Sequence, residues 1–338
     1  MSSIGSNKQY YDCITYLEKI KGSVNFGFGL IREFFIYYKS YSNYFSIIIN
    51  VIKKKSNIKC VLKNGEKIVL ETFQLINFVA EMHDHPEFQL DLKNDLVVFK
   101  SPKSISNEEK IIKIYGGITN GDILGVFVAQ QYADFPIEKQ TVVDIGANIG
   151  DSAIYFALRG SHKVIGFEPY SRNICMAQKN IIQNKLEDVI TIYQAGGSDQ
   201  DSMINIDAHT ISTASSKLVK KRDGITIPLL TLKKIISKYD ILPNSILKLD
   251  CEGDEYKIIM NTDKNILRTF QFILIEYHFG YTNLKKYLEG CGFHVKVETP
   301  IVTGQLGIFL QFFKKFNSKN NELKKLGACG LMFCKRID

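Results

Sequence analysis

No two of the seven cysteines are spaced Cys-x-x-Cys, and their number is odd. Cys13, Cys60, Cys175, Cys251, Cys291, Cys329 and Cys334 are scattered along the chain, which speaks against a disulfide framework and a local zinc site. They read as reduced, mostly buried thiols of a cytoplasmic protein. Met1 is not followed by the apolar core of a signal peptide, so export is not expected. The greasiest stretch, Phe26 to Ile52, is broken by Arg32, Glu33 and Lys39. It lacks the roughly 20 consecutive apolar residues that a bilayer span needs. A long basic block is missing too: the net charge of +8 is spread over 338 residues, with short runs such as Lys53 to Lys55. That balance favours solubility and weak attraction to anionic surfaces, and no nucleic-acid partner is expected.

What is present is a globular composition, 45% apolar. The order of signals divides the chain into an N-terminal α+β extension, residues 1–106, and an α/β domain, residues 107–338. In the extension, "FGFGLIREFFIYYKSYSNYFSIIINVIKKK" is dense in Phe, Tyr and Ile. It reads either as a helical pair packed on the main domain or as an amphipathic segment lying on a membrane, a possible peripheral membrane contact. "CVLKNGEKIVLE" carries a hairpin signal at Asn64-Gly65, since a type I′ turn wants positive φ at both central positions. "HDH" at His83 to His85 invites a metal reading, but Pro86 follows and no ligand cluster supports it. A surface loop is expected there.

From Thr141 the pattern alternates. "TVVDI", "HKVIGFE", "DVITIYQ", "SILKLDCE" and "FQFILIEYH" read as buried strands, each separated from the next by a helical stretch. Such alternation implies right-handed crossovers and a parallel sheet covered on both faces. The expected fold is a Rossmann-like, doubly wound, mostly parallel sheet with antiparallel C-terminal edge strands near "FHVKVET" and "GLMFCKR"; the segment "IFLQFFKKF" between them is left unassigned.

Ligands of open parallel sheets bind beyond the carboxyl ends of the strands, where strand order reverses. Here those ends are polar: Asp144, Glu168, Gln194, Asp199, Asp250, Glu252, Glu276 and His278. Any single one reads as a helix cap or structural pair, whereas all of them at one edge point to a site. Gly146 and Gly150 let a ligand approach the backbone. Glu168, about 20 residues on, is placed to accept ribose hydroxyls. The turn is not G-x-G-x-x-G, and Asp144 ahead of the first glycine opposes a pyrophosphate but suits a ligand with a cationic amino-acid end. S-adenosylmethionine meets that description. Lys248 lies on the same strand face as Asp250, so an ion pair with Asp250 or Glu276 is expected, and Glu255 is expected to favour the start of the next helix.

The blocks "VVDIGANIGDSAIYFALRGSHKVIGFEP", "TIPLLTLKKII", "ILKLDCEGDEYKII" and "FILIEYH" resemble, in order, those of the FkbM-type S-adenosylmethionine-dependent methyltransferases. The upstream "IYGGITNGDILGVFVAQQY" looks like the segment before the first block, and the resemblance spans about Lys113 to Val297. Lys233 departs from it, standing where the family has an acid. The resemblance implies a cofactor loop of Asp144, Gly146, Asn148 and Gly150, with Glu168 on the ribose and Gln194-Ala195 bordering the adenine. Asp250, Glu252 and Gly253 would face the methionine end and the acceptor.

The implied activity is O-methylation of a hydroxyl on a glycan, glycolipid or small metabolite. For the general base the candidates are His278 first and Asp250 second, with Glu276 orienting one of them. No metal is expected, because no tight His/Asp cluster stands in the sequence. A nicotinamide-dependent oxidoreductase and a non-catalytic nucleoside-binding scaffold are the competing readings.

Overall fold

The computed structural model describes residues 31–106, 108–207, 224–298, 301–302 and 328–338. The chain divides into two compact units; among the described residues, 31–89, 301–302 and 328 form one and 90–298 with 329–338 the other. This division lies upstream of the one expected at residue 106.

In the smaller unit a helical run over 31–40 and helix α1 (Tyr44–Ile52) precede a hairpin, β1 (Ile58–Val61) and β2 (Lys67–Leu70), and helix α2 (Phe73–Met82). Polar side chains tie them together: Tyr41 donates to the carbonyl of Ile76 at 2.8 Å and Ser40 to that of Ala80 at 2.9 Å. The hairpin forms, but only Gly65 takes a positive φ, so its turn is not type I′. Asn64 instead accepts from the amide of Glu66 and shapes a longer connection.

The larger unit opens with β3 (Phe88–Asp91, which straddles the division), β4 (Leu96–Lys100) and β5 (Ile111–Tyr115), in the order β3-β4-β5. Its main sheet contains β6 (Thr141–Ile145), β7 (Lys163–Glu168), β8 (Ile190–Gln194), β12 (Ser245–Leu249), β13 (Phe270–Tyr277), β14 (Phe293–Val297) and β16 (Ala328–Arg336). A side sheet holds β9 (Gly196–Gly197), β10 (Ser202–Ile206) and β11 (Ile225–Leu230), and β15 is Ile301–Val302. The helices are α3 (Asp151–Leu158), α4 (Ser171–Gln183), α5 (Leu232–Lys238), α6 (Glu255–Met260), α7 (Lys264–Leu267) and α8 (Thr282–Gly290).

The main sheet runs β14-β16-β13-β12-β6-β7-β8, parallel from β13 through β8. It is the Rossmann-like, doubly wound arrangement. The antiparallel strand is β16, set between β13 and β14 and not at the very edge. Short apolar strands such as TVVDI and SILKL are buried on both faces, as central parallel strands must be. On one face α5, α6 and α8 close a core with Val143, Ile145, Leu247, Leu249 and Ile273. Chain order reverses between β6 and β12, which opens a crevice at their carboxyl ends. The segment "IFLQFFKKF" lies outside the described residues.

One face of α4 binds a strand by amide chemistry. Asn180, fully buried, accepts from the Tyr115 amide at 2.7 Å and donates to the carbonyls of Tyr115 and Ile149, both at 2.9 Å. A turn later Asn184 makes the same paired contact with Lys113. Asn180→Ala leaves three backbone groups without partners and should cost about 3 kcal/mol in urea unfolding, whereas Ile182→Ala on the exposed side of the helix should cost less than about 0.5 kcal/mol.

Candidate active site

The crevice is lined by residues of the β6–α3 turn, the end of β7, Gly196 and Gly197, the turn after β12, and an upstream segment with Asp122, Val126 and Tyr132. The β6–α3 turn is a cradle made of Gly146, Asn148 and Gly150, all with φ between 45° and 88°. A Cβ on Gly146 would stand 1.8 Å from the carbonyl oxygen of Asp250, so only glycine allows this approach of two backbones. Asn148 shapes the loop. Its side chain donates to the Asn120 carbonyl at 2.6 Å and accepts from Asn120 and Asn173, while its amide donates to Glu168 at 3.1 Å.

Glu168 ends β7 inside the crevice wall, also accepting from the Tyr170 amide at 3.0 Å and Asn173 at 3.2 Å. Burial pushes its carboxyl up to about 7 despite those donors. Asp151, buried at the first turn of α3, accepts from the amide of Asp122 at 2.7 Å and is raised by burial to about 6.

Asp144 is placed differently from its sequence reading. It is fully buried, lies 3.0 Å from the Lys248 ammonium and accepts from Ser152 at 2.6 Å. Asp144 and Lys248 are register partners on the adjacent strands β6 and β12. Its charge is therefore neutralised beneath the cradle and cannot repel a pyrophosphate or receive a ligand's cation. The acids that do face the crevice are Asp122, Asp151, Glu168, Asp250, Glu252 and Asp254. Lys248 also lies 3.5 Å from Asp250 and donates to the Gly146 carbonyl at 3.0 Å. Burial works against its charge, but Asp144 and Asp250 outweigh that and hold it an ammonium.

Gln194, at the end of β8 opposite Glu168, turns onto Ser171 and the Pro169 carbonyl. Ala195 is buried, and it is the two glycines after it that line the crevice.

The three residues expected to serve catalysis, His278, Asp250 and Glu276, lie on one side of the site, with altered electrostatics. Glu255, buried at the start of α6, accepts from the amides of Cys251 and Gly253 at 2.5 and 2.8 Å. It also stands 3.5 Å from Nδ1 of His278, whose Nε2 is 3.4 Å from Glu252. Burial disfavours the imidazolium, but Glu255, Asp250 and Glu252 overcome it and raise His278 to about 10. That direction favours the imidazolium and disfavours His278 in the role of general base expected from sequence. Glu276 is pushed up to about 8, first by the charge of Asp250 and then by burial. Asp250 is left as the one of the three that lines the crevice.

Asp250, Glu252 and His278 bring ligand atoms within 4.8 Å of one another, a grouping that spacing in the sequence hid. While the imidazole keeps its proton it offers no lone pair to a cation. The "HDH" segment gathers no such group among the described residues; its Asp84 pairs with Lys39 and its His85 with Glu87.

Sequence reasoning missed Asn120, Asp122, Tyr132 and Asn173. The polar "TNGD" turn after β5 was the available signal for the first two.

Residues 144–295 match the family model described as a methyltransferase FkbM domain. That match covers somewhat less than half of the chain. No curated protein matches the chain. Among solved structures, a methyltransferase FkbM from Methylobacillus flagellatus KT is similar over 65% of this chain and 49% of its own, at 14% identity and TM-score 0.39. The chain thus spans about half the length of that relative. TYW2 of M. jannaschii in complex with AdoMet is similar over 73% of this chain and 90% of its own, at 15% identity and TM-score 0.36. The match begins at Asp144, so Asp122, Val126 and Tyr132 reach the crevice from outside the matched span.

The ion pair beneath the cradle is directly testable. Lys248→Met strands a buried Asp144 and should lower stability by about 3–5 kcal/mol in chemical unfolding, and Lys248→Met with Asp144→Asn should recover most of that loss.

Proposed function

We propose that this chain is an S-adenosylmethionine-dependent methyltransferase acting on a hydroxyl of a glycan, glycolipid or small metabolite. The observation that carries the reading is a crevice with glycine-lined backbone on one side, a buried acid at the end of β7, and a wall of further carboxylates. Within the FkbM domain that set suits a nucleoside with a positively charged tail and opposes a dinucleotide, whose pyrophosphate would meet Asp122, Asp151 and Asp250.

The residues fit the cofactor by their own chemistry. Glu168 offers acceptor oxygens to ribose hydroxyls, the 146–150 cradle offers close backbone, and the carboxylates stabilise a cation. When bound, S-adenosylmethionine supplies a methyl group on a sulfonium, already activated for displacement. The protein's task is then to hold an acceptor oxygen in line with it, which can supply on the order of 7–11 kcal/mol. Asp250 takes the acceptor's hydroxyl proton on its carboxylate as the oxygen–carbon bond forms. Lys248 fixes that carboxylate from below. His278, positively charged between Glu252 and Glu255, offsets acidic charge at the turn and moves no proton.

Glu168 gives the reading a pH signature. Its native value near 7 lies above its ordinary 4.5, so the ligand-free protein holds a proton that the unfolded chain releases across that interval. The associated stability is full below about 4.5 and is lost as pH rises through about 7. The ionised form is the better acceptor for two hydroxyls. Titration calorimetry with S-adenosylhomocysteine should therefore show affinity rising through about pH 7, a dependence absent in Glu168→Gln. Binding of NAD and not S-adenosylhomocysteine would overturn the cofactor assignment. In methyl-transfer assays on sugar and lipid extracts, Asp250→Asn should lower turnover about 10²–10⁴-fold with the fold intact, and full activity in that variant would remove Asp250 as base.

A further inference from the structure

The smaller unit carries a second feature that the crevice does not use. On the helical run 31–40, Ile36 and Tyr37 face inward, while Ile31, Phe34, Phe35 and Tyr38 are exposed. Their spacing of three, four and seven puts them on one stripe. On α1, Ile47 is buried, and Phe45, Ile49 and Ile52 form a second exposed stripe of the same spacing. Tyr44 joins the two, its ring 5.8 Å from Phe34 and 5.3 Å from Tyr38. These helices thus turn an aromatic and aliphatic face outward as well as inward, with Phe35 57% and Phe45 65% exposed. Contiguous apolar surface of that kind marks an interaction site.

The charge around the face says what it meets. Lys53, Lys54 and Lys55, all exposed, follow α1 directly, and Lys63 stands 5.0 Å from the ring centroid of Tyr38. Arg32 and Lys39 are neutralised by Glu81 and Asp84, but Lys53 to Lys55 have no ion pair among the described residues. A second copy of the same face would bring these lysines against one another. Anionic headgroups complement them, and Phe, Tyr and Ile beside lysine are the composition of helices that lie in a bilayer interface. No helix of the described residues is long and apolar enough to cross a membrane, so the contact would be peripheral.

We propose that the face formed by residues 31–52, with the lysines that follow it, docks the protein on an anionic membrane surface. The docking does not rest on the methyltransferase reading, since it uses none of the crevice residues.

The test is cosedimentation of the full chain with phosphatidylcholine vesicles, with and without about one-third phosphatidylserine. Binding is expected to the anionic vesicles and to weaken with salt. Replacing Lys53, Lys54 and Lys55 by Gln should weaken it on the order of 100-fold at low salt. Phe35→Asp with Phe45→Asp should weaken it at least about tenfold with an unchanged far-UV spectrum. Ile111→Asp, at a residue 64% exposed in the other unit, should leave it unchanged. Failure to bind anionic vesicles, binding that survives the Phe substitutions, or an equal loss in Ile111→Asp would overturn the proposal. So would a dimer in sedimentation equilibrium, dissociated by the Phe substitutions, in a chain that ignores lipid.

Discussion

The buried ammonium of Lys248 is the fixed point of the site. It sits where strand order reverses, between β6 and β12, and reaches Asp144 on one strand, Asp250 beyond the end of the other and the Gly146 carbonyl of the cradle. Parallel strands at such a point are held by ladder hydrogen bonds that carry no side-chain information. A charge shared among three oxygens adds a geometric condition, because the cradle, the strand end and the crevice acid must all be correctly placed at once. Gly146 imposes the complementary condition, since no side chain could stand where its backbone meets that of Asp250.

Charge in the crevice is arranged in two tiers. Beneath the surface Asp144 and Lys248 cancel. At the surface the carboxylates remain in excess, and the charge of Asp250 extends behind them to Glu276, whose carboxyl it raises. His278 belongs to the compensating tier. Its fixed positive charge between two glutamates lets the turn after β12 keep several acids close together without unfolding. A site strained in this direction favours positively charged occupants over anionic ones.

Much of this was legible in the chain. Runs such as TVVDI and FQFILIEYH can only be central strands, and helices of regular length between them force a parallel sheet, so the doubly wound fold and the strand-end position of Glu168 and Asp250 followed from local pattern. What was hidden depends on partners distant in sequence. Asp144 reads as a ligand-facing acid until Lys248 is placed beside it, and His278 reads as a base until Glu255 and Glu252 enclose it. The insertion of β16 between β13 and β14 is likewise a pairing choice that a strand's own residues do not encode. The small β9–β10–β11 sheet escaped because Gly196-Gly197 and SMINI carry too little periodicity to stand out.

The asparagines of α4 have a wider consequence. Asn173, at the end of the helix near the crevice, contacts Glu168 and Asn148, while Asn180 and Asn184 clasp β5 further along. One helix therefore acts as a ruler between Glu168 and the strand that delivers Asn120 and Asp122. The stretch from β4 through residue 135 is, in architectural terms, part of the same unit as the crevice even though the family match begins at Asp144. An excised protein that started at the match would lose one wall of its crevice and leave the ruler with nothing to measure.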